Sequence, residues 1–383
     1  MRSLWEPQRR SVSYQDVWGT GSDWHGPSSS SSRVTVTPDA ALGLDAVWAC
    51  VNMHAGMASS LPIDAFRGQQ SLPVSPPPTI LDKPSLVLPA DDWLFQYYVS
   101  LLIYGNANGL VLSRDRLGYP STVEWQNPND VQVEDLPAHR VRYRVGGVPV
   151  DSDDMWHDRW FVMPGSVKGR APLTLHRETI GLGIAAQRFG AQWFGDGAHP
   201  SAVLSTDQQV NQEQASAIKE RFVAAIRGGR EPAVLGAGMK YQQIQTAPEE
   251  SQFLETQQHS AVAVARVFGI QPEMIAASVS GSSVTYANVE QQAIQYLTFG
   301  LDRWLVKGER AMSRHLPRGM FSKFNRGALL RTDLLSRYRA HGIALRNQFL
   351  NIDEVRELED RPPLDNGEDF PPVRAPEGNP DDD

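Results

Sequence analysis

The sequence predicts an α+β fold in which strands and helices are concentrated in different parts of the chain. Between residues 100 and 165, short runs such as NGLVLSRD and VRYRVGGVPV are separated by turn signals, which is typical of antiparallel strands. From residue 172 onward, apolar residues recur at helical spacing over long stretches. A mostly β region is therefore expected to precede a mostly helical one.

Before these strands, two helices are predicted on either side of an irregular connection. Apolar residues repeat at helical spacing over 42–60, and the single cysteine, Cys50, is expected to pack there as a small hydrophobic side chain. The run IDAFR then predicts a strand. Residues 71–89 contain too many prolines for a regular element. An aromatic-rich helix follows from residue 91, where two aspartates favour a helix N-terminus, and ends at Gly105.

The helix that starts near residue 172 is predicted to be apolar on more than one face. Ile180 and Ile184 form one stripe, and Leu182 and Phe189 belong to an adjoining one. Further helices are predicted over 211–227, 246–268, 284–315, 328–346 and 351–359, with strand-like runs PAVLG, MKYQQIQ and MFSKFNR between them. Capping-box patterns mark two helix starts, Thr246 with Glu249 and Asn351 with Glu354.

Charge is distributed unevenly. The net charge is −8, but residues 301–346 carry 11 Lys/Arg against three Asp/Glu, whereas residues 351–383 carry 12 acids against three Arg. The basic block could neutralise phosphates, but its cations do not line one stripe, so pairing with the acidic tail or with a neighbouring subunit is the favoured interpretation. The cations concerned include Arg310, Arg314, Arg318, Lys323 and Arg326.

Sequence motifs for common active sites are absent. The Gly/Ser segment SVSGSSVTYAN, which leads into a predicted helix, contains no Lys or Arg and therefore does not match a phosphate-binding loop. There is no Gly-x-Ser-x-Gly and no His-Glu-x-x-His. The run DSDDMWHD (151–158) superficially resembles a set of metal ligands, although acids at the start of a strand usually mark an exposed turn. No secretory signal and no membrane span are predicted, which favours a protein assembled in the cytoplasm.

Several stretches, in this order, resemble the portal protein family of tailed bacteriophages, in the branch with long non-contractile tails. They are ALGLDAVWACVNMHAGMASSLP, SLLIYGNANGLVLSRDRLGYPSTVEWQNPNDVQV, PLTLHRETIGLGIAAQRFGAQWFGDGAHPSAVL, ESQFLETQQHSAVAVARVFGIQPEMI and FLNIDEVRELEDRPPLDNGED. Together they extend over residues 40–370. Each stretch is weak evidence alone, and the resemblance rests on their order and spacing.

The resemblance implies an α+β subunit that assembles into a ring, with a β-rich wing, two stem helices, an α/β clip, a long wing helix and a short helical crown. The polar, serine-rich residues 1–39 are predicted to be a flexible leader. The implied parts are the wing (40–171), first stem helix (172–199), clip (200–246), second stem helix (247–270), tunnel loop (271–284), long wing helix and strand (285–327), and crown with acidic tail (328–383).

Two groups of residues are expected to carry the function. In the tunnel loop, short neutral side chains would let duplex DNA slide, because each phosphate contact would resist movement. These residues are Ser278, Ser280, Gly281, Ser282 and Ser283. In the clip, exposed cations are the candidates for contact with a packaging motor or adaptor. They are Lys219, Arg221, Arg227, Arg230 and Lys240.

The resemblance implies a non-catalytic ring, typically of twelve subunits, at one vertex of the capsid. It would conduct double-stranded DNA during packaging and ejection, and would contact the terminase large subunit, the major capsid protein and a head–tail adaptor. No cofactor, metal or membrane is expected, and the mature location would be the virion. Two alternatives stay open: a capsid-associated adaptor or minor head protein without a closed ring, and a metal-dependent hydrolase that uses Asp153 and His157.

Overall fold

The computed structural model divides the chain into two compact units, Met1–Phe324 and Asn325–Asp383. The residues that the structure describes are 28–69, 73–136, 140–195, 202–206, 211–213, 215–218, 220, 239–243, 250–277, 286–328, 334–359 and 361–364. Helices and antiparallel strands both occur in the first unit, as an α+β fold requires.

The helices named here for the first unit are α1 (Pro38–Leu42), α2 (Asp45–Ser59), α3 (Thr79–Asp82), α4 (Ala90–Tyr104), α5 (Pro172–Leu175), α6 (Arg177–Gly195), α7 (Glu250–Phe268), α8 (Tyr286–Gln295) and α9 (Asp302–Ser313). A π-helical segment, Tyr296–Leu301, joins α8 to α9. The second unit contains α10 (Leu334–Arg346) and α11 (Ile352–Leu358). The predicted helices over 42–60 and from residue 91 are confirmed as α2 and α4.

The strands are β1 (Ser28–Ser29), β2 (Thr35–Val36), β3 (Ile63–Arg67), β4 (Asn106–Arg114), β5 (Pro120–Trp125), β6 (Val131–Leu136), β7 (Arg140–Val145), β8 (Val148–Val150), β9 (Met155–Arg159), β10 (Ala202–Thr206), β11 (Met239–Gln243) and β12 (Met320–Phe324). Two three-stranded antiparallel sheets have the orders β5-β4-β9 and β6-β7-β8. The other pairs are β1–β2, β3–β12 and β10–β11. The strand-rich region and the hairpin at Gly146–Gly147 are confirmed.

The main core lies between α4 and the β5-β4-β9 sheet, and it is built largely from aromatic side chains. Trp93 of α4 donates from Nε1 to Val123 O of β5 (2.6 Å), and Trp125 Nε1 donates to Trp93 O (2.9 Å). Trp93 and Trp156 are almost fully buried, with ring centroids 5.8 Å apart. Each buried indole removes a large apolar area from water, so these rings dominate the stability of the layer.

Gly105 explains how the chain leaves α4 and enters β4 without a spacer. Its φ is +69°, and a Cβ at this position would lie 2.2 Å from Arg170 O. Both the left-handed conformation and the close approach of another backbone therefore require glycine. Helix α2 packs against α4, and Cys50 within it is completely buried. This burial confirms that Cys50 packs as a small core side chain, and it raises the pKa of the thiol to about 12.

The predicted flexible leader is wrong for its last residues. The serine run supplies strand β1 and the beginning of the turn in the hairpin β1–β2. In that turn, Ser31 N donates to Glu178 Oε2 of α6 (2.8 Å). Ser30 is buried against Gly181 of α6, where a Cβ would lie 2.4 Å from Ser30 Oγ. Because glycine leaves room on the helix, a polar run that looks disordered in isolation docks there. Helix α1 then begins at Pro38, capped by the Thr37 side chain.

Several predicted boundaries also change. The proline-rich connection contains a one-turn helix, α3, directly after three consecutive prolines. The helix from residue 172 is interrupted at His176, which has non-helical φ and ψ. The uniform helix predicted over 284–315 contains the π segment. Strand β10 was not predicted and pairs with β11, which lies within the predicted MKYQQIQ run. The start pattern Thr246–Glu249 lies outside the described residues.

In the second unit, α10 and α11 are joined through one carboxylate. Glu359 accepts hydrogen bonds from Arg337 Nε (2.5 Å) and Nη2 (2.8 Å), and lies 3.0 Å from His341 Nε2. The predicted capping box at the start of α11 is confirmed: Asn351 and Glu354 exchange side-chain-to-backbone hydrogen bonds of 2.8 Å each. The Arg337–Glu359 pair joins the basic block of the sequence to the acidic one.

Candidate functional site

Helices α6 and α7 pack against each other closely. Gly183 of α6 permits this approach, because a Cβ there would lie 2.6 Å from Ser260 Oγ of α7 and 2.9 Å from Leu44 Cδ2. Ile180 and Ile184 are buried. The first apolar stripe predicted for this helix is therefore its core-facing side.

The second predicted stripe has a different environment. Leu182 is 51% exposed and Phe189 is 46% exposed. Seven residues are almost two helical turns, so the two side chains lie on one face of α6. Leu175, a further seven residues upstream in α5, is 46% exposed as well. Because the helix is interrupted at His176, the common face is that of Leu182 and Phe189. Two large exposed apolar side chains on one face of an otherwise packed helix pair are a candidate interface.

Helix α7 ends at a glycine with left-handed backbone angles, next to the guanidinium of Arg303. Gly269 has a φ of +75°, and Ile270 N donates to Ala265 O at 2.9 Å. This pattern satisfies the terminal carbonyls of a helix. Arg303 Nη2 approaches the last helical carbonyl, Phe268 O, at 3.4 Å. A cation at this end is favoured by the helix dipole.

The π segment lies next to the end of α7 and contacts α2 through a buried histidine. His54 Nε2 lies 3.0 Å from Phe268 O, and His54 Nδ1 lies 3.0 Å from the Tyr296 hydroxyl. A Cβ at Gly300 would lie 2.8 Å from the Tyr296 ring and 3.3 Å from Gly269 O. Burial lowers the pKa of His54 to about 4 and raises the pKa of Tyr296. Both groups are therefore neutral at pH 7.

Helix α9 is attached to the β5-β4-β9 sheet by a buried carboxylate. Asp158 of β9 is 2% exposed and lies 2.6 Å from Lys307 Nζ and 2.8 Å from Arg314 Nη2. The Tyr97 hydroxyl of α4 donates to the same carboxylate. Burial alone would raise the pKa of Asp158, but Lys307, together with hydrogen bonds and Arg314, holds it below its usual range. The basic residue Arg314 therefore has an acidic partner within the first unit. Pairing of the basic block with a neighbouring subunit stays a prediction.

The acidic run 151–158 does not form the metal site that was considered. His157 uses Nδ1 toward the Tyr143 hydroxyl (3.1 Å) and Nε2 toward Asn106 Oδ1 (3.0 Å). Asp154 pairs with Arg114 at 3.0 Å. His157 and Asp158 are neighbours on one strand and point to opposite faces of the sheet. Within the described ranges, no group of three or more His, Cys, Asp or Glu side chains is placed to hold a metal ion.

The residues predicted to face DNA or the motor lie outside the described part of the chain. This applies to Ser278, Ser280, Gly281, Ser282, Ser283, Lys219, Arg221, Arg227 and Arg230, whereas Lys240 belongs to strand β11. On the side of α7, the described chain leads to this segment through a 3₁₀ turn, Pro272–Ile275. Ala277 N donates to Pro272 O (2.9 Å) just before position 278.

The buried polar groups around these helices do not stand out in the sequence. One signal was available for His54, which is a polar residue inside the apolar run CVNMHAGM. Asp158 appeared only as part of an acidic run. Its two cations are 149 and 156 residues away in sequence, and no local pattern reports such a pairing. Among the helices that the structure describes, none combines the length and apolar character that crossing a membrane requires.

Residues 45–360 match the family model described as phage portal protein. A probable portal protein of Streptomyces phage phiC31 is 30% identical over 372 residues, which cover 88% of this chain and 78% of the relative. An HK97-family phage portal protein from Corynebacterium diphtheriae is similar in structure, with a TM-score of 0.60, 20% identity, and coverage of 76% of this chain and 96% of that one.

A further similar structure belongs to the neck of a native gene transfer agent particle, computed with C12 symmetry. Its TM-score is 0.55 at 17% identity, and the match covers 89% of this chain and 96% of that chain. At this level of identity the likeness concerns the fold. Both structural neighbours match almost their entire length, so the order of the elements is shared as well as individual pieces.

Proposed function

The chain belongs to the phage portal protein family, and we propose that it forms a ring of twelve subunits at one vertex of a phage head. Double-stranded DNA would enter through the ring during packaging and leave through it during ejection. The ring would contact the capsid protein, the terminase motor and later a head–tail adaptor. Portal proteins are structural, so ATP hydrolysis would belong to the motor. Assembly would take place in the host cytoplasm, before the ring becomes part of the virion.

We assign the parts of the subunit as the family resemblance implies. Helices α6 and α7 would be the stem, and residues 200–246 between them would be the clip that faces the motor. Residues 271–284 would form the tunnel loop, α8 and α9 would lead from it back into the wing, and the second unit would belong to the crown. In the clip, Lys219, Arg221, Arg227, Arg230 and Lys240 are the candidate contacts with motor or adaptor.

The observation that carries the ring proposal is the exposed face of α6 at Leu182 and Phe189. Burying a large apolar side chain completely contributes about 1.5–3 kcal/mol, so covering the exposed half of each would contribute about 1 kcal/mol. A heterologous contact repeats this gain at every subunit boundary when the rotation closes. The patch would therefore be one contribution, repeated around the ring, to a contact that must also offset the entropy lost on association.

The composition of the tunnel loop supports a channel rather than a binding site. Neutral side chains at Ser278, Ser280, Gly281, Ser282 and Ser283 would contact DNA without holding its phosphates. Each additional cation on a phosphate increases affinity and its dependence on salt, and would oppose translocation. A hydrolase is the weaker candidate, because both ring nitrogens of His157 are engaged by neighbouring side chains.

Native mass spectrometry with negative-stain imaging tests this proposal. We expect a species of roughly 500 kDa, twelve times the 42.4 kDa subunit, with an open axial channel. The double variant Leu182→Ser/Phe189→Ser should shift the population toward smaller species. Leu117→Ser, which removes a 73% exposed leucine from the turn between β4 and β5, is the matched control and should leave the ring population unchanged. A compact dimer or tetramer without a channel would contradict the proposal.

A further inference from the structure

His54 is placed between the two helices that flank the proposed tunnel loop. It belongs to α2, is 1% exposed, and contacts the end of α7 at Phe268 O and the start of the π segment at Tyr296. Its ring also stacks on the Tyr296 ring, with centroids 5.6 Å apart and an interplanar angle of 25°.

The two hydrogen bonds define one arrangement of protons. A backbone carbonyl can only accept, so Nε2 of His54 carries the hydrogen and donates to Phe268 O. Nδ1 of the neutral ring is then an acceptor, and the Tyr296 hydroxyl donates to it. The order of donation therefore runs from Tyr296 to His54 to the carbonyl of Phe268. Loss of the tyrosine hydroxyl would leave a buried ring nitrogen unpaired, which is costly.

The backbone on both sides of this connection leads from Phe268 and Tyr296 toward the proposed tunnel loop. Beyond Phe268, the left-handed glycine turn and the 3₁₀ turn fix the chain as far as Ala277 through backbone hydrogen bonds. On the other side, Tyr296 follows directly on the regular helix α8. A π segment contains an extra residue per turn and is held only when specific contacts favour it. The Tyr296 ring, clamped between His54 and Gly300, supplies such a contact.

We infer that His54 is a positioning residue that fixes the C-terminal ends of α7 and α8 relative to each other. The short turn after α7 and the ten residues of α8 then lead from these fixed points to the two sides of the proposed tunnel loop. The inference rests on the proposed function for the role of that loop. The connection itself consists of described residues in one compact unit.

The test compares two tyrosine variants by hydrogen–deuterium exchange of the full-length protein. Tyr296→Phe removes the hydroxyl of the connection and keeps the ring. Tyr98→Phe is the matched control, since Tyr98 is also buried and its hydroxyl also donates to a distant backbone carbonyl, Trp304 O (3.3 Å). Both variants remove the hydroxyl of one buried tyrosine, so a general loss of stability should be comparable in the two.

In Tyr296→Phe, we expect amide exchange to accelerate roughly fivefold in peptides covering 264–277 and 286–300, the amount that corresponds to one net hydrogen bond. In Tyr98→Phe, these peptides should exchange as in the wild type. His54→Phe should reproduce the Tyr296→Phe pattern. Equal acceleration in both tyrosine variants, or none in Tyr296→Phe, would overturn the inference.

Native mass spectrometry of the same samples separates this inference from the proposed function. A wild-type ring whose exchange does not respond to Tyr296→Phe would overturn the positioning role and leave the ring proposal intact. A wild type that forms no ring, but whose exchange responds locally as expected, would support the connection while counting against the portal assembly. Neither result depends on the other, because the exchange comparison is made between variants in the same oligomeric state.

Discussion

Neutralising Asp158 should destabilise the first unit more than removing either of its cationic partners. Asp158→Asn keeps the size of the side chain and removes its charge. The buried carboxylate is the point where β9, α4 and α9 meet, through Tyr97, Lys307 and Arg314. The substitution leaves two cations facing each other beside a neutral amide. The same layer holds Trp156, so a disturbance there reaches the main core.

The expected loss of stability in each variant depends on how exposed the substituted side chain is to solvent. Removing one partner of a buried ion pair costs about 3–5 kcal/mol, and we expect Asp158→Asn to lower the free energy of unfolding by about 3 kcal/mol. Lys307 is 24% exposed, and its loss leaves the carboxylate with two donors, so Lys307→Met should cost about 2 kcal/mol. Arg314 is 57% exposed. Water screens that pair, and Arg314→Ala should cost less than about 1 kcal/mol.

Urea unfolding followed by tryptophan fluorescence measures these differences, because the indoles of the core report loss of the layer around Asp158. All variants must be compared in the same oligomeric state, and the denaturant slope should stay constant. The double variant Asp158→Asn/Lys307→Met should be more stable than the sum of the single losses predicts, since the two residues share one interaction. If Arg314→Ala costs as much as Asp158→Asn, or if Asp158→Asn costs less than about 1 kcal/mol, the assignment of the carboxylate as the organising charge is wrong.

Three further outcomes are expected. Burial, and then Arg303, disfavour the charged form of His54, so its pKa falls from 6.5 in the unfolded chain to about 4 in the folded protein. The neutral ring therefore contributes about 3 kcal/mol to the free energy of unfolding above pH 6.5, and this contribution is lost as the pH falls toward 4. Urea midpoints measured between pH 7.5 and 4.5 should therefore fall less steeply in His54→Phe than in the wild type. Gly169→Ala should prevent folding or lower the free energy of unfolding by more than about 4 kcal/mol, since a Cβ there would lie 2.0 Å from a backbone oxygen. Gly56→Ala is the control: a Cβ at position 56 meets open space, so the melting temperature should be unchanged or slightly higher. Lysine at both Ser280 and Ser282 should slow DNA packaging in a salt-dependent way, and an unchanged rate at low salt would contradict the role of loop neutrality.

Sequence patterns predicted the elements whose causes are local. Helix α4 follows from its acidic start and from the glycine at position 105. The capping box of α11 follows from two side chains three residues apart, and the hairpin at 146–147 follows from two glycines with positive φ. The burial of Ile180 and Ile184 followed from periodicity, but periodicity alone could not tell which of the two stripes of α6 faces the core. Which stripe becomes buried depends on the other elements that pack against α6.

The features that were missed depend on contacts between distant residues. The hairpin of the leader forms because Gly181 leaves space for Ser30, and no composition rule for serine runs includes a docking helix. The π segment disrupts a sequence that is periodic throughout, and it is held by His54 from a helix more than 200 residues earlier. The sequence of the proposed tunnel loop was informative for a different reason. Its lack of cations is a property of composition, and composition can be read without a fold.

The long helix formed by α8, the π segment and α9 is attached to the rest of the first unit at two places, and the two attachments differ in strength. At α9, the helix is joined to the sheet by a buried carboxylate with two cations, an interaction of several kcal/mol when broken. At the π segment, it is joined to α2 by the neutral hydrogen bond between Tyr296 and His54, which contributes about 1 kcal/mol. A displacement that starts at α8 would therefore loosen the contacts of Tyr296 before those of Lys307. In the proposed ring, the β5-β4-β9 sheet would keep its structure while the helix next to the proposed tunnel loop adjusts to passing DNA.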